Sequence, residues 1–240
     1  MAIDFATFTT TAPFILDARL PVLLRGRHGI GKSQVVYQIA EERGLPVVER
    51  RASQMTEGDL LGLPDTADTA INGRKATTWN APDWLVTACE QGVLLFLDEV
   101  DRATMEVRQG LFELTDSRKL NGWHLHEDTL IVAAVNGGEH GAQYQVGEMD
   151  PAELDRWTVF DVEPTTEDWL KWANGRVPSI VWDFINHNRK HLEHEGDFEP
   201  NKVYPSRRSW DRFSTTAEPA GVFAEDGNRD LLFNLATAFV

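Results

Sequence analysis

The chain is poor in cysteine, in long apolar runs and in positive charge, and each shortage excludes something. Cys89 is the single cysteine, so an intramolecular disulfide and a multi-cysteine metal site are ruled out. The longest apolar runs, Val93–Leu97 and Leu130–Val135, fall far short of the roughly 20 residues that span a bilayer and have the length of buried strands. Met1 to Leu24 carries acids at Asp4 and Asp17 and no leading basic cluster. That predicts no signal peptide, no membrane insertion and a soluble, cytoplasmic protein in a reducing compartment. Lys and Arg number 23 against 38 Asp and Glu, a net charge of −15, which disfavours broad binding to nucleic acid or anionic membrane. What is present, in 240 residues, is 42% hydrophobic and 25% charged side chains. This is an ordinary globular composition, at a length that buries a core without covalent staples.

Short apolar runs alternate with helix-like segments, the pattern of a parallel sheet with helices on both faces. Strands are expected at Pro21–Leu24, Pro46–Glu49, Val93–Leu97 and Leu130–Val135, and helices at Lys32–Arg43, Asp83–Gln91 and Met105–Thr115. Two Asn-Gly pairs, Asn72-Gly73 and Asn121-Gly122, predict inserted β-hairpins, because both central positions of the tightest hairpin turn need positive φ. After about Val162 strand runs give way to helical patterns at Glu167–Ala173, Ser179–Lys190, Ser206–Thr216 and Arg229–Val240. An α/β domain over 1–162 and a small helical domain over 163–240 follow. The second ends inside an apolar helix pattern without a cap, which reads as truncated.

Gly26-Arg27-His28-Gly29-Ile30-Gly31-Lys32-Ser33 fits G-x-x-x-x-G-K-[ST] between a strand and a helix, the context a phosphate-binding loop requires. Gly26, His28, Gly29, Ile30 and Gly31 would aim backbone N–H groups at phosphate oxygens. Lys32, Ser33 and Gln34 open the helix, whose positive dipole end adds to the attraction. Lys32 would reach the β- and γ-phosphates, and the Ser33 hydroxyl would bind Mg2+. The strand Val93–Leu97 ends in Asp98-Glu99. There Asp98 suits the magnesium shell and Glu99 suits a base for the attacking water. Asn136, at the tip of the Leu130–Val135 strand, stands where ligands of open α/β sheets bind. It can meet the γ-phosphate or the lytic water.

In this order the motifs resemble those of AAA+ ATPases, and among them the MoxR-like group of the dynein-related AAA domains. The likeness runs from about Pro21 to Thr216. It is carried locally by Glu57–Pro64, Trp79–Leu85, Leu97-Asp98-Glu99-Val100-Asp101-Arg102-Ala103, Leu154-Asp155-Arg156-Trp157 and Ser206-Arg207-Arg208-Ser209-Trp210. The resemblance implies a P-loop three-layer αβα core with two hairpin inserts and an all-helical lid, Mg2+-dependent hydrolysis of ATP, and a homo-oligomeric ring, expected to be hexameric. It makes Asn136 the sensor-1 residue and Arg156 an arginine finger acting on a neighbouring subunit's nucleotide. Arg208, with Arg207 as the alternative, becomes the second sensor. It also suggests a partner with a von Willebrand factor A domain and a protein client. The sequence departs from the family at Trp157, where Phe is usual, at Gly137, where Pro is common, and at Arg207, which takes a Pro position.

Two rival functions are kept. One is a nucleic-acid motor using Arg118, Lys119, His124 and His126 of the second hairpin. The other is a scaffold that binds ATP without hydrolysing it. Arg102 and Arg118 read as interface residues or surface charges. His187, His191 and His194 read as one solvated helix face, and the tryptophans as packing.

Overall fold

The computed structural model describes residues 2–65, 70–71, 74–75, 77–136, 149–194, 196, 199 and 202–239. Phe8–Gly26 with Lys32–Asp161 form one compact unit, and Met1–Thr7, Arg27–Gly31 and Val162–Val240 form another.

The first unit is built on β1 (Val22–Arg25), β2 (Val47–Arg51), β7 (Leu94–Asp98), β10 (Leu130–Val135) and β11 (Thr158–Asp161). They form a sheet in the order β11-β1-β10-β7-β2, and every neighbouring pair is parallel. A parallel sheet is covered on both faces, so its central strands are apolar throughout rather than alternating. All six residues of β10 are buried, as are Leu94–Leu97 of β7. The crossovers include α2 (Lys32–Glu42), α4 (Asp83–Glu90) and α5 (Met105–Ser117). α2 buries Val35, Val36, Ile39 and Ala40, the 3.6-residue stripe of an amphipathic helix. Leu23, Leu95, Ile131, Leu85, Leu111 and Leu114 meet in one continuous core.

α1 (Phe5–Asp17) and β11 are among the elements without a counterpart in the sequence reading. α1 buries Phe8, Ala12 and Leu16 despite Pro13, and β11 adds an edge strand with Thr and Asp at its ends.

Both hairpin regions form. Between α3 (Glu57–Leu61) and α4, β3 (Leu63–Asp65) pairs antiparallel with β6 (Thr78–Asn80), and β4 (Ala70–Ile71) with β5 (Arg74–Lys75). The Asn72-Gly73 turn lies outside the described residues. β8 (Lys119–Leu120) and β9 (Trp123–His124) pair around Asn121 (φ 49°) and Gly122 (φ 87°). Both turn residues are left-handed, as a two-residue hairpin requires. The Asn121 side chain donates to the carbonyl of Leu61 (3.3 Å), tying this hairpin to α3.

α6 (Pro151–Leu154) precedes β11. The second unit contains α7 (Thr166–Ala173), α8 (Ser179–His187), α9 (Arg207–Ala217) and α10 (Arg229–Phe239). Trp169, Val181, Ile185, Trp210 and Phe213 share its core. α7 and α9 open with capping boxes, Thr165 with Asp168 and Ser206 with Ser209, which satisfy backbone N–H groups the first turn leaves open. The helix expected over Ser179–Lys190 stops at His187, and a 3-10 turn covers Arg189–His191. His187, His191 and His194 therefore do not share a helix face. The Asn188 amide, donating to the Phe184 carbonyl at 2.9 Å, competes with helical propagation there.

Candidate functional site

The carboxyl ends of β1, β7 and β10 lie side by side, and each delivers a polar residue. The N–H of Gly26 donates to Val135 O (3.3 Å), so β10 guides the chain into the loop. Gly29 (φ 73°) and Gly31 (φ 107°) then take conformations that side chains resist. α2 begins at Lys32 with no acid in its first turn, so nothing in that turn offsets its positive end. Lys32 is buried, 7% exposed. Its Nζ donates to the Gly26 carbonyl (2.7 Å) and to Asn136 Oδ1 (2.8 Å). The lysine of the loop and the asparagine of β10 are thus in direct contact.

Asp98 ends β7. Its Oδ1 accepts from the N–H of Glu99 at 2.9 Å. Burial raises its pKa, with Lys32 pulling the other way. Glu99 itself is left-handed, φ 55° and ψ 39°, an uncommon conformation for a residue with a side chain. Its Oε2 accepts from Ser53 Oγ at 2.5 Å, and Arg102 lies 3.8 Å from its Oε1. Immediately beyond, Asp101 is 2% exposed. Its Oδ2 accepts from the backbone N–H of Asn136 at 2.9 Å, and burial raises its pKa also. Ser53 and Asp101 were not singled out from sequence. Asp101 stands in the quoted Asp98–Ala103 motif, but only the fold shows where its carboxyl goes. No local pattern marks Ser53.

A family model described as the AAA domain of the dynein-related subfamily matches residues 21–156. The chain belongs to this family. Within the dynein-related AAA domains its MoxR-like resemblance stands. Protein CbbQ of Hydrogenophilus thermoluteolus is 30% identical over 132 residues, 52% of this chain and 47% of that protein. Protein NorQ of Paracoccus denitrificans is 31% identical over 102 residues, 42% of this chain and 35% of that protein. Midasin of Giardia intestinalis is 37% identical over 100 residues, 41% of this chain and 2% of that protein. The matched part of the chain spans about half or less of each relative. Among solved structures, a RuvB mutant of Thermotoga maritima superposes with a TM-score of 0.59 at 14% identity, covering 98% of this chain and 70% of that one. The common ground there is the fold: a P-loop AAA+ architecture.

In this AAA domain the arginines named from sequence have distinct surroundings. Arg156 packs on α5. Its guanidinium lies 4.3 Å from the Phe112 ring centroid, its Nε donates to Asp116 Oδ2 at 2.9 Å, and it also bonds the Ala152 carbonyl. Nearby, Glu153 pairs with Arg108 of α5 in a buried ion pair. In the helical unit Arg207 is 7% exposed. It donates to Glu193 (2.7 Å) and to the carbonyls of Thr165 (2.9 Å) and Pro164 (2.5 Å). Arg208 points away from that core and is exposed. A methyl group on Gly29 would lie 3.9 Å from its Cβ. Arg118 is no free surface charge. It bonds the carbonyls of His126 (3.0 Å) and Thr129 (2.6 Å), closing the second hairpin.

Proposed function

We propose that this AAA domain binds ATP with magnesium and hydrolyses it inside a homo-oligomeric, hexameric ring, and that the cycle remodels a protein client. The contact of Lys32 Nζ with Asn136 Oδ1 at 2.8 Å carries this reading. It joins the phosphate-binding loop to the strand tip where the γ-phosphate of a bound nucleotide would end.

The residues fit the group. The loop from Gly26 through His28, Gly29, Ile30 and Gly31 turns backbone donors toward phosphate, and Gln34 sits on the same helix end. The Ser33 hydroxyl and Asp98 carboxylate are the hard oxygen donors magnesium prefers, and burial disfavours a bare charge on Asp98. Magnesium, when bound, offsets negative charge on the β- and γ-phosphate oxygens. Lys32 gives up the Gly26 carbonyl for a phosphate oxygen and keeps its bond to Asn136 Oδ1. Glu99 takes a proton from water as the water oxygen bonds to the γ-phosphorus and the bridging oxygen leaves with ADP. To do so it must release Ser53, whose hydroxyl occupies one of its oxygens. Asn136 positions the water or γ-phosphate. Arg208, on the helical domain (163–240) that follows the α/β domain (1–162), senses the nucleotide, with Arg207 reserved for the helical core. Arg156 leaves Asp116 to reach a neighbouring subunit's γ-phosphate. A protein with a von Willebrand factor A domain is the proposed partner, and the cytoplasm the proposed location. Among the described residues no helix is long and apolar enough to cross a membrane. The internal bonds of Arg118, and the 3.5 Å pair of Lys119 with Glu113, weaken the nucleic-acid alternative. Having Glu99, Asn136 and Arg156 together weakens the non-hydrolysing scaffold.

Mixing two inactive variants tests this reading. Lys32→Ala lacks the phosphate lysine and Arg156→Ala lacks the finger. The expected result is negligible turnover from each alone and recovered ATPase activity in the mixture, where Arg156 of one serves the intact loop of the other. Active Arg156→Ala alone, or no recovery on mixing, overturns the ring. Wild type that fails to bind ATP overturns the ATPase.

A further inference from the structure

The left-handed turn at Glu99 has a second consequence. It sends the chain from the end of β7 into the 3-10 turn Val100–Arg102, and the Asp101 side chain returns beneath the tip of β10. There the carboxylate is 2% exposed. Its Oδ2 accepts the Asn136 N–H at 2.9 Å. Its Oδ1 is buried with no hydrogen-bond partner among the described residues. A buried carboxylate is costly to retain for one hydrogen bond.

We propose that Asp101 is a positioning residue that fixes Asn136 for phosphate chemistry. Asp101 holds the backbone of Asn136, and Lys32 holds its side-chain oxygen at 2.8 Å. With its oxygen so directed, Asn136 presents its amide NH2, the donor end, to the substrate. Three groups from three elements are thereby set in one line: Lys32 of α2, Asn136 after β10 and Asp101 after β7. The turn that carries the proposed base, Glu99, also carries the brace for Asn136. Misplacing a substrate-positioning group by about 1 Å can cost roughly a hundredfold in rate. The inference rests on the ATPase reading only for its kinetic part.

Wild type, Asp101→Asn and Asp101→Ala are compared by amide hydrogen exchange at Asn136 without nucleotide, by affinity for a fluorescent ATP analogue, and by ATP turnover. Asp101→Asn keeps an acceptor for the Asn136 N–H. It should retain Asn136 protection and lose less than about threefold in kcat. Asp101→Ala should lose Asn136 protection, keep its nucleotide affinity within about twofold, and lose about ten- to a hundredfold in kcat. A merely structural acid would weaken affinity and turnover in parallel and spread the exchange over the sheet. That result overturns the proposal, as does unchanged Asn136 exchange in Asp101→Ala. If Asp101→Ala does not fold, Asp101→Ser, whose shorter side chain cannot reach as the carboxylate does, takes its place with the same expectations. Wild type without turnover would fail the ATPase reading alone, because hydrogen exchange still decides the role of Asp101.

Discussion

Two arginine–carboxylate pairs on α5 use the same chemistry in opposite settings. Arg108 and Glu153 are 6% and 3% exposed, and Arg108 Nε donates to Glu153 Oε1 at 2.8 Å. Two turns along, Arg156 and Asp116 are 28% and 47% exposed. Arg108, Phe112 and Asp116 recur every fourth residue, so one helix face grips the 150–156 segment at both points. Glu153 is also the return partner in the capping box of Asp150, so the buried pair anchors the segment. The outer pair stays wet, and an exposed ion pair holds its partners weakly. The same division recurs in α9, where Arg207 is buried with three acceptors and Arg208 is exposed. Burial holds Arg108 and Arg207 in the cores of their units, while Arg156 and Arg208 keep contact with solvent.

The widest separation should come from Arg156→Ala. An arginine supplied to the γ-phosphate in trans is worth about 10³–10⁵ in kcat, while loss of an exposed pair costs about 1 kcal/mol of stability or less. Steady-state turnover should collapse with the melting temperature nearly unchanged. If both fell together, the outer pair would be an anchor too and the contrast would vanish.

Glu153→Ala should do the reverse. It removes the carboxylate paired with buried Arg108, a loss of about 3–5 kcal/mol, which chemical denaturation would record. ATP affinity of the protein that remains folded should match wild type. A loss below about 1 kcal/mol would show that solvent reaches the pair.

The α9 neighbours sharpen the same contrast at smaller scale. Arg207→Ala should cost about 2–3 kcal/mol of stability through its stranded partners. Arg208→Ala should leave stability alone and lower kcat by about a hundredfold. Swapped phenotypes would assign the sensor to Arg207.

How much of this could be read beforehand follows from where each signal resides. The strands Val93–Leu97 and Leu130–Val135 were legible because buried parallel strands are continuous apolar runs. The turn at Asn121-Gly122 was legible because its backbone admits few other residues. The order of Lys32, Asp98 and Asn136 was legible because each stands at an element boundary. α1 was hidden by Pro13 and its threonines, poor helix formers, and is held by Phe8, Ala12 and Leu16 in the core. β11 is four residues at a sheet edge, too short to display a period. Ser53, Asp101 and the partners of the arginines depend on burial and on contacts distant in sequence, which no local spacing encodes.

The last test concerns an ion pair between these extremes. At the ends of β1 and β11, Arg25 Nε meets Asp161 Oδ1 at 2.6 Å and its terminal nitrogen meets Oδ2 at 2.9 Å, with the side chains 28% and 39% exposed. The Arg25 hydrogen bond holds the Asp161 carboxyl below its ordinary value, against the opposing effect of burial. A carboxyl lowered in the folded state contributes stability above its unfolded pKa, about 3.9, and loses it as the pH falls through the folded value. Asp161→Asn should therefore be less stable than wild type at pH 7, by under about 1 kcal/mol given the partial exposure. The gap should close as the pH falls below about 4. Thermal melts of both proteins across that range decide it. A gap that stays constant with pH would mean that Asp161 acts by shape and hydrogen bonding rather than by charge, and would place the pair with the anchors.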